Sequence, residues 1–510
     1  MPNYLLAADA DHIQKFLFRS ARLREVRGAS DVLEHLCLSA PTALLGREDS
    51  DPNTIIHTGG RFLLKFDAPH HAENFGVALA EYFRRSIGAT LTCTAPIEYG
   101  NAPRNFRWAQ AEADQQLRSA KRGGRAPQAT DHSPHLAFCA SCGGELAATH
   151  QRRHEDESAN YLCATCRSKA NQVERARDEP PDPADAMGKL DAKKYIAYFK
   201  ADGNSMGALF NACETEARMK KLSRGLQDVI EQSFNQLEQY LEPHYNAQIP
   251  PVKLILAGDD CFAIFPAAYA LDLARQFCLM FESKMEELLR EPDLRAIHTA
   301  GGKPTMTGVV VICKSDYPYT LAHSRCDQLL KRAKRFAKQV FTRDARASTL
   351  DFQVIVGNTI DRDDPVSRAR TMRPYWVSET TLPPELTQVA MPIQVLLDQR
   401  YALARANVPS RRIAQLRDLF DVTETEIHSP MWANHWETTW RRIKRSDNQT
   451  QVLKDAWHAL AGAEIEPPRM RTLARHGEMS SRHGLPDLIE MWDYTFDLSR
   501  NARDYERGNV

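Results

Sequence analysis

The sequence predicts an α+β protein made of two related units, with a cysteine-rich insert between them and a helical C-terminal part. Three observations carry this prediction. Strand-like runs and helix-period stretches follow the same order twice, two CxxC pairs stand between the copies, and beyond residue 357 the apolar spacing is largely helical. The expected divisions are 1–125 for the first unit, 126–185 for the insert and its linkers, 186–357 for the second unit and 358–510 for the helical part. A chain of 510 residues suits roughly three or four domains and a sizeable core.

The first unit opens on the strand-like YLLAADADHIQKFLF, from Tyr4. A helix is expected through Val32 to Leu44, then a hairpin in IIHTGGRFLLKF, then helical stretches ending in LRSAK at Lys121. In the insert, Cys139 and Cys142 are separated from Cys163 and Cys166 by 20 residues, Gly143 to Leu162. Four thiolates so spaced can close a tetrahedron on zinc, and a closed tetrahedron leaves no open position, so the expected zinc is structural. His150 and His154 could replace a thiolate, but with four cysteines available both are expected to be solvated. The loop between the pairs is too polar to fold alone, so metal binding would supply its folding energy. LRSAKRGGRAPQATDHSP before the insert and ARDEPPDPADAMG after it read as loop-like boundaries.

The second unit repeats the plan. YIAYFKADGNSMGALF carries a strand from Tyr195 that ends at Asp202. A helix near Leu222 to Leu241 follows, then the hairpin LILAGDDCFAIF, a buried strand at Gly308 to Ile312, the helix LAHSRCDQLLKRAKRFAK and a closing strand in TLDFQVI. Asp9 and Asp202, Gly60 and Gly258, and Lys121 and Lys334 are separated by 193, 198 and 213 residues, a drift of a few loop insertions. The hairpin tip of the second unit carries Asp259 and Asp260, where that alignment puts Arg61 and Phe62 in the first. One active and one structural half of an old duplication are therefore expected.

Gly258-Asp259-Asp260 is the most informative feature of the chain. Adjacent carboxylates on a tight turn repel each other and are kept there readily when a cation lies between them, although Gly and Asp are also ordinary turn residues. With Asp202 on a neighbouring strand, three carboxylates would meet at one sheet edge, the arrangement two-metal nucleotidyl chemistry needs. Lys331, Lys334, Arg335 and Lys338 recur at helical spacing along one side. Such a run is either a solvated face or a phosphate site, and its position after the acidic hairpin points to triphosphate binding by Lys334.

Lys plus Arg, 66, equals Asp plus Glu, 66, so there is no global basic field and any nucleic-acid contact must be a local patch. The short apolar start is broken by Asp9 and Asp11, and no apolar run is long enough to cross a bilayer, so a soluble cytoplasmic protein without membrane contact is expected. Of 11 cysteines, the seven outside the CxxC pairs (Cys37, Cys93, Cys213, Cys261, Cys278, Cys313 and Cys326) are scattered singly, which suits a reducing compartment. In the C-terminal part RPYWVSETTLP reads as a loop. IQVLLDQRYALARA, RRIAQLRDLFDV and LPDLIEMWDYTFDLSR read as amphipathic helices, with Trp432, Trp436, Trp440, Trp457 and Trp492 in their core.

Together, IQKFLFRSARLREVRGAS, the four-cysteine insert, ADGNSMG and AGDD resemble the large subunit of type III CRISPR effector complexes, the Cas10/Cmr2 polymerase-cyclase family, over about Tyr4 to Ile355. The resemblance implies two GGDEF-related palm domains with ferredoxin-like cores. It also implies an antiviral role in which the second palm converts ATP into cyclic oligoadenylate, with guide RNA and other effector subunits as partners. It assigns two divalent ions, magnesium or manganese, to Asp202, Asp259 and Asp260, and nucleotide binding to Gly203, Asn204, Gly258, Lys331 and Lys334. Three departures stand out. Ala257 replaces the first glycine of the family's Gly-Gly-Asp-Asp, Asn204 stands where a second aspartate is common, and no His-Asp dyad is seen, so the HD nuclease is expected to be missing. The rival expectations are a non-catalytic scaffold with a degenerate palm and a nucleotide sensor without turnover.

Overall fold

The structure is a computed structural model that describes residues 2–11, 13–20, 23–48, 51–122, 137–152, 158–175, 183–241, 251–342, 346–356, 370–377, 383, 386, 389–420, 422–443, 447–463, 470–475 and 478–500. The first unit runs β1 (Asn3–Ala10), α1 (Ile13–Phe18), α2 (Leu23–Leu45), β2 (Thr54–Thr58), β3 (Arg61–Phe66), α3 (Pro69–Ile87), β4 (Leu91–Cys93), β5 (Ile97–Tyr99) and α4 (Phe106–Arg122). Its sheet has the order β2-β3-β1-β4, with β5 also pairing β1. β6 (Thr149–Arg152) and β7 (Ala159–Leu162) form a separate hairpin, followed by α5 (Ala164–Arg175) and α6 (Pro183–Gly188).

The second unit comprises β8 (Tyr195–Asn204), α7 (Met206–Asn211), α8 (Glu216–Leu241), β9 (Val252–Ala257), β10 (Asp260–Pro266), α9 (Ala270–Arg290), α10 (Arg295–Gly301), β11 (Thr305–Lys314), α11 (Tyr319–Val340) and β12 (Ser348–Val354). Its sheet order β9-β10-β8-β11 repeats that of the first, and β12 and β13 (Tyr375–Val377) extend it. This strand-helix-strand-strand-helix-strand order is the ferredoxin-like arrangement. The middle strand β8 is apolar on both faces because both are covered. Ala197, Phe199 and Ala201 enter one core with α8 and α9, while Ile196 and Tyr198 enter the other with α2 and α11. Packing between the units is reciprocal, since α2 lies against β9 and α8 lies against β2. The two hairpins are thereby brought face to face.

The repeat is in register one residue away from the sequence alignment. Asp9 pairs with Arg61 and Asp202 with Asp260, so Gly59, Gly60 and Arg61 correspond to Gly258, Asp259 and Asp260. Both tips are two-residue turns, which hides the shift from any count of intervening residues. Positive φ at both Gly59 and Gly60 gives a I′ turn, whereas in the second unit only Gly258 (φ 62°) is left-handed, as a II′ turn requires.

The C-terminal part departs from the expectation at several places: LPDLIEMWDYTFDLSR is helical only over Leu485–Glu490 and Trp492–Tyr494, and RRIAQLRDLFDV only over Ser410–Ala414 and Arg417–Phe420. Tyr375–Val377, read as loop, is the edge strand β13, held by Tyr375 Oη donating to Asp487 (2.6 Å) and by Arg373 pairing with Asp487 and Glu490 (2.7 Å each). Arg471–Arg475 and Glu478–Arg482 form an antiparallel hairpin whose polar composition gave no strand signal. The five tryptophans are buried as expected, and Trp436 lies 4.6 Å from Trp457, ring centre to ring centre.

Candidate active site

The site is organised by the end of β8 and the β9–β10 turn. Asp202 and Asp260 are direct cross-strand partners, and Asp259 occupies the second turn position beside them. A Cβ at Gly258 would meet nothing within 4 Å, so this glycine is required by its φ rather than by space. Gly203 is required by space. A Cβ there would lie 2.9 Å from both Cβ and Oδ2 of Asp259 and 2.7 Å from Cγ of Met206. The missing side chain is what seats the Asp259 carboxylate against β8. Gly203→Ala is therefore expected to displace that carboxylate and to cost about 1–3 kcal/mol, read by thermal melting, with weaker manganese binding in titration. An unchanged melting temperature and unchanged affinity would show the clearance to be irrelevant.

Burial, followed by the neighbouring Asp202, pushes the Asp259 carboxyl up to about 7. The same causes raise Asp260 to about 6, against the opposing pull of Lys200 and Lys334. Two carboxylates whose ionisation is penalised by burial and by neighbouring charge, with the Asp202 carboxylate beside them, are the donor set a small divalent cation suits. The folded protein holds more protons here than the unfolded chain. Stability is therefore unaffected below the ordinary carboxyl range, falls as pH rises, and is lowest once pH passes about 7. In chelator, Asp259→Asn is expected to raise the melting temperature by a few degrees at pH 8 and to leave it unchanged near pH 4. A pH-independent effect would contradict this assignment.

Asp202 is turned towards α11, where Lys334 Nζ meets its carboxylate at 2.5 Å and donates to the Gly203 carbonyl at 3.3 Å. Among the described residues the oxygens of the three aspartates are not all within 4.8 Å of one another. Asn204 points sideways into β11, accepting from Thr307 Oγ1 (2.8 Å) and donating to Thr305 Oγ1 (3.1 Å). Lys331, Arg335 and Lys338 are exposed on α11, and of this basic run Lys334 is the one in contact with the acidic cluster. The reason is helical phase: Lys334 projects along the sheet edge, while its neighbours three and four residues away clear it.

A cleft of about 490 Å³ lies between the facing hairpins, a size that suits a small-molecule ligand. The second unit lines it with Gly258, Asp259 and Asp260, and the first with Asp9, Arg61 and Lys121. Asp202 and Lys334 flank this lining rather than form part of it. Lys121 pairs with Asp9 (2.8 Å) as Lys334 does with Asp202, and Arg61 pairs with Asp114 (2.5 Å). Asp9 and Lys121 had served only as markers of the repeat, and nothing in the sequence around Arg61 or Asp114 announces a cleft wall.

The four cysteines of the insert converge, with all four sulfurs within 4.8 Å of one another and Cys139, Cys163 and Cys166 buried. Sulfur donors in this closed set fit a structural metal such as zinc. His150 is exposed, and His154 lies outside the described residues.

Two copies of a ferredoxin-like sheet, the second bearing acidic residues at its central hairpin, define a palm-type α+β protein. Residues 195–345 match the family described as Cas10/Cmr2, second palm domain. The match covers the second unit, and it agrees with the palm fold seen there. Among solved structures, Csm1 in T. onnurineus is similar at 13% identity, over 98% of this chain and 70% of that one, with a TM-score of 0.51. A Csm1-Csm4 cassette in complex with pppApApA is similar at 13% identity over 97% and 69% of the two chains (TM-score 0.49). The Csm1-Csm4 subcomplex of the type III-A CRISPR-Csm interference complex gives 13%, 90%, 70% and 0.49. No curated protein sequence matches the chain. Among the described residues no helix is long and apolar enough to cross a membrane.

Proposed function

We propose that the chain is an ATP-dependent nucleotidyltransferase that makes cyclic oligoadenylate for antiviral signalling, as a subunit of a type III CRISPR effector with guide RNA and other subunits as partners. The observation that carries this reading is the pairing of Asp202 with Asp260 beside Asp259, on a hairpin that forms one wall of a nucleotide-sized cleft. In this reading Asp202, Asp259 and Asp260 hold two magnesium or manganese ions. Such ions would neutralise phosphate charge and favour the ionised form of an attacking hydroxyl. The 3′-hydroxyl of one ATP attacks the α-phosphate of another, and pyrophosphate leaves towards Lys334, which neutralises its charge. Gly258 keeps the turn free of a side chain where the nucleotide approaches. No side chain acts as a nucleophile.

One observation favours the scaffold reading. The Asn204 amide is already committed to Thr305 and Thr307, so this departure from the family pattern supplies no further oxygen to the cluster. The test is incubation with ATP and magnesium or manganese, with and without the assembled RNA complex, and mass spectrometry for oligoadenylates. Product supports the enzyme. RNA binding without product under every condition supports the scaffold, and tight ATP binding without conversion supports the sensor.

A further inference from the structure

The inter-unit cleft opens onto a second, shallower cavity of about 620 Å³ along α4, and the two share Gln110, Asp114, Arg118 and Asn211 in their walls. The character of the wall changes along this path, from the acidic hairpin to a basic helix face. Arg107, Arg118 and Arg122 all line the second cavity, all are exposed, and none makes a hydrogen bond or ion pair with another described residue. At 100° per residue, positions 107, 118 and 122 fall within about 60° of one another, so the three guanidinium groups share one side of α4. Trp108, one position on from Arg107, flanks the same side and is 38% exposed, with the Arg104 guanidinium 5.5 Å from its ring centre.

A second observation marks the junction of the cavities. Gln110 is 3% exposed and uses its amide nitrogen on the Phe210 carbonyl (3.4 Å), while its buried amide oxygen has no partner. Buried acceptors are rarely left unmatched, so this oxygen is placed to receive an N–H or O–H from a ligand. A base amine or a ribose hydroxyl supplies one, whereas a phosphate group under these conditions offers only acceptors.

We propose that the α4 groove is an oligonucleotide subsite that carries the 5′ portion of the adenylate chain growing in the cleft, with Arg107, Arg118 and Arg122 on its phosphates and Gln110 on a base or ribose donor. The inference rests on the nucleotidyltransferase reading of the cleft. It commits to the growing chain because the groove is continuous with the acidic hairpin where that chain would be made. Guanidinium groups beside an exposed aromatic ring are the usual equipment for single strands, which need phosphate neutralisation and a stacking surface. Arg107 and Arg122 line the groove and not the hairpin cleft, so the groove is expected to discriminate by chain length.

The test uses the full chain, EDTA to prevent turnover, and a 3′-labelled, 5′-triphosphorylated triadenylate followed by fluorescence anisotropy. R107A/R122A alters two exposed residues outside the cleft lining. It is expected to weaken triadenylate binding about tenfold, to flatten the salt dependence of that binding by a slope of about 1.4, and to leave ATP affinity within twofold. In turnover with magnesium the variant is expected to release more dinucleotide and less of every longer product. The proposal is overturned if triadenylate affinity is unchanged, if ATP and triadenylate weaken equally, or if the parent binds triadenylate no better than ATP. A long unrelated single-stranded RNA that binds more tightly than triadenylate, and is lost in the same variant, overturns the growing chain as occupant. Absence of turnover in the parent both alone and with the assembled RNA complex would sink the nucleotidyltransferase reading, while the anisotropy result would still decide the groove.

Discussion

Asp259→Asn/Asp260→Asn is expected to abolish oligoadenylate synthesis, by on the order of 10³-fold or more, while leaving a protein at least as stable as its parent at neutral pH. The two halves of this result have one cause. Both carboxylates are pushed towards protonation by burial and by Asp202, so their charges oppose folding above pH 7. Amides of nearly the same shape remove that opposition without emptying the turn. They also remove the negative charge that would hold a divalent ion. A polar turn with no further role predicts a different outcome, in which the double variant gains stability and loses nothing. Product formation, measured by mass spectrometry beside a melting curve, separates the two. Full synthesis in the folded variant would defeat the assignment of these aspartates.

How much of this site was legible in the sequence depended on how local each signal is. The β9–β10 hairpin, the strand ending at Asp202 and the two CxxC turns are written in consecutive residues, and all are present in the structure. The reciprocal seating of α2 on β9 and α8 on β2 is not local, so the first unit's wall of the cleft, Arg61 with Asp114 and Lys121 with Asp9, could not be foreseen. Gly203 enters as a nucleotide-binding residue through the resemblance, which says nothing of its packing. The space it leaves for Asp259 depends on a turn 56 positions away in the chain. Asn204 shows the opposite limit, since its spacing from Asp202 puts it on the same strand face, but the threonines of β11 are closer and take its amide. Tyr375–Val377 is a strand because Arg373 and Tyr375 reach the helix at Leu485–Glu490, a tertiary preference that three residues of sequence do not express.

Loss of the metal from the four-cysteine site is expected to unfold the insert and, through it, to impair the acidic hairpin. The β6–β7 hairpin has a small core in which the cysteines themselves are the main buried groups, so the folding energy of the insert must come largely from thiolate-metal bonds. Several contacts then tie the insert to the first unit. Ser141, inside the first CxxC, donates to the buried Glu25 (2.7 Å), and Lys169 on α5 donates to the Phe16 carbonyl with its ammonium 4.5 Å from the Phe16 ring centre. Burial pushes the Lys169 ammonium towards neutrality, and the Cys166 thiolate and Glu25 pull it back. Two residues further on, Phe18 stacks on His323 of α11 (3.7 Å) and packs edge-on against Phe262 of β10 (5.6 Å), two positions from Asp260. Cys163→Ser, or chelation verified by metal analysis, should therefore open the segment 137–175 to protease, lower the melting temperature by several degrees, and reduce oligoadenylate synthesis more than ATP binding. Rescue by added zinc is expected for the chelated protein and not for the variant. Unchanged protease resistance after verified metal removal would mean that the thiols pack without an ion. Unfolding of the insert with full synthesis would mean that the path through Phe18 carries no strain to the hairpin.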